Sequence, residues 1–449
     1  MCAEANSLAK RKWNRRSWAC LFIAAFANSA AKAQQPPIDI ELSKAYFHEA
    51  QAASDRDQGL LWGQALYGPL LLIDPGTHMV VANQADREGK LVAHGGVWTG
   101  QFPDEAGAAN TAIEWAGVHW TMVMWPLPWR RQSRLRLMMH ECFHRVAPGI
   151  GLSPADASPA HLDTLDGRIW LEMEWRALES AMWSKGAARE QAIVDALSFR
   201  GYRRSLFPGA AVQEDELEMN EGLAEYTGMK LSTLSDEEFS MVEDGALRLA
   251  ADQHPNFVRS FAYVSGPAYG LLLDRTGGNW RKGLTPRSDL GALLAQLSRV
   301  KVSAVDEKDA VRRARSYDGD EIIEAETRRN SDRQLRLAKA RQRFLAGPVL
   351  ILPVGEQFNY GFDPNHVLSL DESSTVYEGG QVSDTWGVLK APDGFLLVRG
   401  ASGVLRVQVP APGKTDGSSL TGEGWTLELA PGWRVVTSSR TGDLILKPQ

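Results

Sequence analysis

Two histidines four positions apart with an acid between them can do chemistry that few other arrangements support. The stretch His140-Glu141-Cys142-Phe143-His144 has this form. Residues four apart on an α-helix are neighbours on one face, so both imidazoles can bind a single metal ion. Glu141 would sit about 100° around the helix from His140, too far to be a third ligand. It is near enough to reach a water on the metal, which is the position of a general base. Random composition would produce such a pentapeptide in a chain of this length only roughly once in a hundred.

These side chains need a helix to hold them and a third ligand from another element. Leu135, Met139, Cys142 and Val146 recur at helical spacing and predict the core face of that helix, with Pro148-Gly149 as its stop. A metzincin would carry a glycine and a third histidine just downstream. Ala147 and Ile150 hold those places, which excludes that class. The best source of a third ligand is the acidic segment 214–226, predicted to be helical over 214–231.

Within that segment Asn220-Glu221-Gly222-Leu223-Ala224-Glu225 resembles the NExxx[D/E] element of gluzincins, the thermolysin-like and aminopeptidase-N-like zinc peptidases. The resemblance implies Zn2+ bound by His140, His144 and Glu221, with Glu141 as general base. It implies that Glu225 hydrogen-bonds a ligand histidine and fixes its tautomer. Gly222 would let the two active-site helices approach closely. Further on, Tyr263-Val264-Ser265-Gly266 resembles the Tyr-x-x-Gly start of the next helix in aminopeptidase-N-like enzymes, where the tyrosine steadies the oxyanion. Together the motifs span roughly residues 110–275. One departure is that His144 and Glu221 lie 77 positions apart, more than in the best-known gluzincins. The intervening residues read as a helical hairpin with arms at 169–183 and 187–199.

Each assignment has a plainer competitor. The histidines could be satisfied core residues, although an intervening glutamate and a downstream acidic helix argue against it. Glu221 could be a solvated helix acid, as Glu214, Glu216 and Glu218 are expected to be. Glu225 could be a solvated or interhelical acid. Tyr263 could be a packing aromatic, with Tyr269 and His254 as rivals for its role. Cys142 points away from the histidine pair and reads as a small buried hydrophobe. His119 reads as a half-buried strand residue.

The N-terminus carries Lys10-Arg11-Lys12 and Arg15-Arg16, then an apolar run at 18–27, then Ala31-Lys32-Ala33. This is the tripartite design of a secretory signal peptide, so a secreted or periplasmic location is expected. The apolar run is too short to span a membrane. Cleavage after Ala33 would remove Cys2 and Cys20 and leave Cys142 without a disulfide partner. Residues 1–33 hold six Lys/Arg and one Glu, so the net charge would move from −6 to −11. That acidity favours solubility and argues against nucleic acid, and no later segment is apolar for long enough to span a membrane. The partner expected from the peptidase resemblance is a peptide or protein substrate.

The remaining elements predict an α+β fold in which an antiparallel-edged sheet precedes the active-site helices. After the signal peptide at 1–33, an N-terminal sheet subdomain is expected over 34–130, entered by a helix around Ala45-Tyr46-Phe47. A hairpin is expected at 66–73 and 78–83 across Asp74-Pro75-Gly76-Thr77, with further strands at 91–98 and 111–125. By resemblance, the 115–125 strand would be the edge that pairs with extended substrate. A helical zinc-binding subdomain follows over 131–305, then a solvated linking helical segment over 306–346. From 347 to 449, short alternating runs separated by Asp393-Gly394, Pro412-Gly413 and Pro431-Gly432 predict an all-β domain. The expected function is peptide-bond hydrolysis by a zinc enzyme. The alternatives are hydrolysis of a non-peptide amide such as a cell-wall component, or a non-catalytic zinc-stabilised binding protein. Oligomeric state is not legible.

Overall fold

Asp74 closes the first hairpin with its own side chain: Oδ1 accepts from the backbone N–H of Gly76 at 2.7 Å and of Thr77 at 3.1 Å. The computed structural model containing this turn describes residues 38–449, apart from 104–106, 154–156, 255, 356, 363–366, 372, 401–402, 414–416 and 418. The expected signal peptide lies outside the described residues. The chain divides into two compact units, one ending at Ile323 and the other beginning at Glu324.

The first unit opens with helix α1 (Ile40–Asp57), capped by Asp39. Six strands follow: β1 (Leu70–Ile73), β2 (Met79–Ala82), β3 (Val92–His94), β4 (Val97–Gln101), β5 (Thr111–Trp115) and β6 (Val118–Met124). They form one sheet in the order β3-β4-β2-β1-β6-β5. Strands β1 and β6 run parallel and the other neighbours antiparallel. Side chains alternate across the sheet. Leu70, Leu72, Val81 and Val123 face the main helical core, while Leu71, Ile73, Val80, Trp120 and Met122 pack on the other face.

The expected strand at 111–125 is instead a hairpin. Ala116 and Gly117 take positive φ values of 50° and 74°, the geometry of a tight two-residue turn, and fold β5 back onto β6. As a result β6 is interior, between β1 and β5, and the free edge belongs to β5.

The motif helix α2 (Arg131–Val146) packs against β5 and β6, burying Leu135, Met138, Met139, Cys142 and Val146. Arg145 ties it to the sheet by bonding the Leu66 carbonyl at 2.7 Å and the Thr121 hydroxyl at 3.2 Å. Helices α3 (Leu165–Trp183) and α4 (Gly186–Leu206) form the expected hairpin. Next come α5 (Ala210–Leu217), a π-turn at Glu218–Gly222, and α6 (Leu223–Ser232). Helices α7 (Asp236–Gln253), α8 (Phe257–Asp274), α9 (Leu290–Ser298) and α10 (Glu307–Ala314) complete the group, and α11 (Gly319–Arg341) carries the chain into the second unit. No helix among the described residues is long and apolar enough to cross a membrane.

In the second unit the described strands form a seven-stranded and a five-stranded sheet. Leu350, Leu397, Val407 and Val409 of the first pack with Val382, Leu389, Trp425 and Leu427 of the second. The molecule is therefore α+β, with a C-terminal all-β region. The end of the expected solvated linker is packed rather than free. Leu337, Ala340 and Phe344 are buried against Leu368, Leu370, Val376 and Leu396, because these apolar positions recur at helical spacing on one side of a charged helix.

Candidate metal centre

Three polar side chains from two helices converge in the first unit. On α2 the four-residue spacing brings His140 and His144 together, with their Nε2 atoms 3.1 Å apart. Glu221, on the π-turn, directs Oε2 at both rings, 3.5 Å from His140 Nε2 and 3.4 Å from His144 Nε2. One ligand atom from each residue lies within 4.8 Å of the others. Two imidazole nitrogens and a carboxylate oxygen this close together form a donor set that could hold a metal ion. His140 and Glu221 are buried, while the His144 side chain keeps 16% of its surface exposed. The group can hold a metal ion and can be reached from solvent.

The surrounding residues fix the ligands. Glu225, one turn beyond Glu221 on α6, stands with Oε2 2.7 Å from His140 Nδ1. A carboxylate can only accept, so Nδ1 carries the proton and Nε2 is left for a metal. Arg136, one turn before His140, bonds the other oxygen of Glu225. The hydroxyl of Tyr263 on α8 donates to Glu221 Oε2 at 2.6 Å, and its ring stacks on His140 at 5.5 Å with a 6° tilt. Asn220 and Arg259 hold Glu221 Oε1 at 3.3 and 3.4 Å. Tyr269 does not take the place of Tyr263, because its hydroxyl donates to Glu174 at 2.6 Å; His254 is the C-cap of α7, its backbone N–H bonding the Ala250 carbonyl.

Glycines set the helix spacing. A Cβ on Gly228 would come within 2.5 Å of the Arg136 carbonyl, so this glycine is what lets α6 lie against α2. Gly222, expected in that role, faces a different neighbour. A Cβ on Gly266 of α8 would collide with the Cα of Gly222, so the Gly222–Gly266 contact brings Tyr263 up to the site.

The charges are strongly coupled. Burial disfavours a charged ring at His140, but hydrogen bonds to Glu221 and Glu225 and the nearby Glu141 charge raise it to about 10. Glu221 and Glu225 are themselves held below the usual carboxylate range. Burial opposes this; His144 and His140 outweigh it at Glu221, and Arg136 and His140 outweigh it at Glu225. Glu141 is raised by burial, with His140 and His144 pulling the other way.

Sequence reasoning missed Arg136, Asn220 and Arg259. Their spacing was visible: Arg136 precedes His140 by four positions and Arg259 precedes Tyr263 by four, each on the site-facing side of its helix. The expectation that Glu214, Glu216 and Glu218 are solvated is corrected. Glu214 and Glu218 are fully buried against the arginines of α4, and only Glu216 is partly exposed, paired with Arg287. Cys142 is buried, as expected. His119 lies opposite Glu114 on the β5–β6 hairpin, its Nδ1 2.7 Å from the carboxylate. Compared with family models, with curated proteins and with solved structures, the chain matches none.

Proposed function

We propose that this chain is a zinc-dependent peptidase of gluzincin type, acting outside the cytoplasm. The observation that carries the reading is the convergence of His140, His144 and Glu221 on one point with Glu141 beside them on the same helix. When bound there, zinc supplies Lewis acidity to the scissile carbonyl and to the attacking water. Glu141 takes a proton from that water as it adds to the carbonyl carbon, and then delivers the proton to the amine nitrogen as the C–N bond breaks. Burial raises its carboxyl above the usual carboxylate range, which makes it a better proton acceptor than an exposed glutamate. Tyr263 has a hydroxyl proton, given to Glu221 in this structure, that serves as donor to the oxyanion.

Glu225 and Arg136 keep His140 in the tautomer that offers Nε2. The open edge of β5 is suited to pair with an extended peptide, whose backbone would supply the missing ladder partners. A purely structural metal site would have no use for a buried acid in the position of Glu141, which favours catalysis over a binding role. The test is elemental analysis of the purified chain beside His144→Ala. One zinc per parent chain and most of it lost in the variant is the expected result, and full retention in the variant would refute the ligand set.

A further inference from the structure

His144 and Glu221 are 77 positions apart, the stretch between them contains the α3–α4 hairpin, and that hairpin meets the site through buried charge. Arg200 of α4 grips Glu218 with both arms of its guanidinium, Nη1 to Oε1 at 3.0 Å and Nη2 to Oε2 at 2.5 Å. The same guanidinium reaches Glu174 of α3 at 3.2 Å, and Glu174 accepts from Tyr269 of α8 at 2.6 Å. All of these side chains are buried. Glu218 is the first residue of the π-turn that carries Glu221.

A π-turn is a rare local geometry that a helix adopts where something holds it. Here the Leu223 N–H bonds the Glu218 carbonyl, five residues back, instead of the regular partner four back. Residues three apart on a regular α-helix lie only about 60° from one another, on one side. The wider π-turn spreads them. Glu218 can then face the hairpin while Glu221 faces α2. A buried fork of this kind adds little net stability over an apolar contact of the same shape, and its distinctive property is direction.

We infer that the Arg200–Glu218 fork is a positioning device: it holds the π-turn in register and so aims the Glu221 carboxylate at His140 and His144. On this account the long insertion, which the gluzincin resemblance leaves unexplained, is the clamp for the third ligand. Arg200 and Glu218 are positioning residues, since neither reaches the histidine pair. The inference rests on the proposal that His140, His144 and Glu221 share one metal.

The network contains its own control. Glu214 lies four residues before Glu218, equally buried, and is bound by Arg203 at 3.0 and 2.9 Å and by Arg204 at 2.7 Å. It belongs to α5, however, and not to the π-turn. Each acid can be removed without stranding its arginines: Arg200 keeps Glu174 and Asp215, Arg203 keeps Glu174, and Arg204 keeps Asp215 and Asp289.

Zinc affinity by chelator competition and the absorption spectrum of the cobalt-substituted full chain are measured for the parent, Glu218→Ala and Glu214→Ala. Both variants should melt at lower temperature. Only Glu218→Ala should bind zinc more weakly, by about tenfold or more, and shift the cobalt bands that report ligand geometry. Should Glu218→Ala fail to fold, Arg200→Lys keeps the charge but loses the two-point fork and is expected to weaken zinc in the same way. Parent-like affinity and spectrum in the folded π-turn variant would overturn the inference, as would an equal loss in Glu214→Ala. A parent that takes up no zinc would refute the metal site itself, and the positioning account with it. A zinc-binding parent with an unaffected variant refutes the positioning account alone.

Discussion

Glu225 Oε2 stands 2.7 Å from His140 Nδ1, and that contact decides which nitrogen of the ring turns toward His144 and Glu221. Glu221 and Glu225 are one helical turn apart and close in burial, yet their expected losses differ. Glu221→Ala removes a ligand and should abolish stoichiometric zinc binding. Glu225→Ala removes only the group that orients a ligand and should weaken binding about ten- to a hundredfold. Metal titration of both variants checks this. Zinc lost from Glu225→Ala but kept by Glu221→Ala would exchange the two roles.

Proton release gives a second prediction. In the metal-free protein His140 is raised to about 10, so its ring carries a second proton, on Nε2, through neutral pH. Zinc binds only the neutral imidazole, so binding must expel that proton. The sign follows: affinity should rise with pH, by about tenfold per unit for one proton, and flatten as the pH nears 10. Calorimetry in buffers of different ionisation enthalpy reads the proton count directly. A pH-independent affinity between about pH 6 and about pH 8 would show that the ring is already neutral without metal.

The crossing of the π-turn and α8 leaves no room for a methyl group. In Gly266→Ala the new Cβ would meet backbone atoms of Gly222, which cannot swing aside as a side chain can. A loss of about 2–3 kcal/mol is expected in urea denaturation. Gly245→Ala, on α7 with open space at its Cβ, should change stability by less than about 1 kcal/mol and toward greater stability. Equal stability of Gly266→Ala and the parent would place α8 farther from the π-turn.

Much of this arrangement was legible because it is periodic or local. The motif helix announced itself through Leu135, Met139, Cys142 and Val146, and the first hairpin through Asp74-Pro75-Gly76-Thr77. The hairpin within 111–125 escaped because Ala116-Gly117 is a weak turn signal inside an apolar run, although its positive φ values make it a turn. Glu214 and Glu218 looked solvated because acids on a helix usually are. Their partners Arg200, Arg203 and Arg204 lie up to 18 positions away on another helix, where periodicity says nothing about pairing. The same holds for Tyr263, whose hydroxyl meets Glu221 across 42 positions.

The central claim is that Glu141 works as a base at a zinc centre that cuts peptides. The direct measurement is mass-spectrometric analysis of a mixed peptide library incubated with the zinc-loaded parent and with zinc-loaded Glu141→Gln. The parent should generate new peptide termini, and the variant, with equal zinc content, should generate them at least about a hundredfold more slowly. A zinc-loaded parent that leaves the library intact, or a variant that cuts it as fast as the parent, would contradict the account.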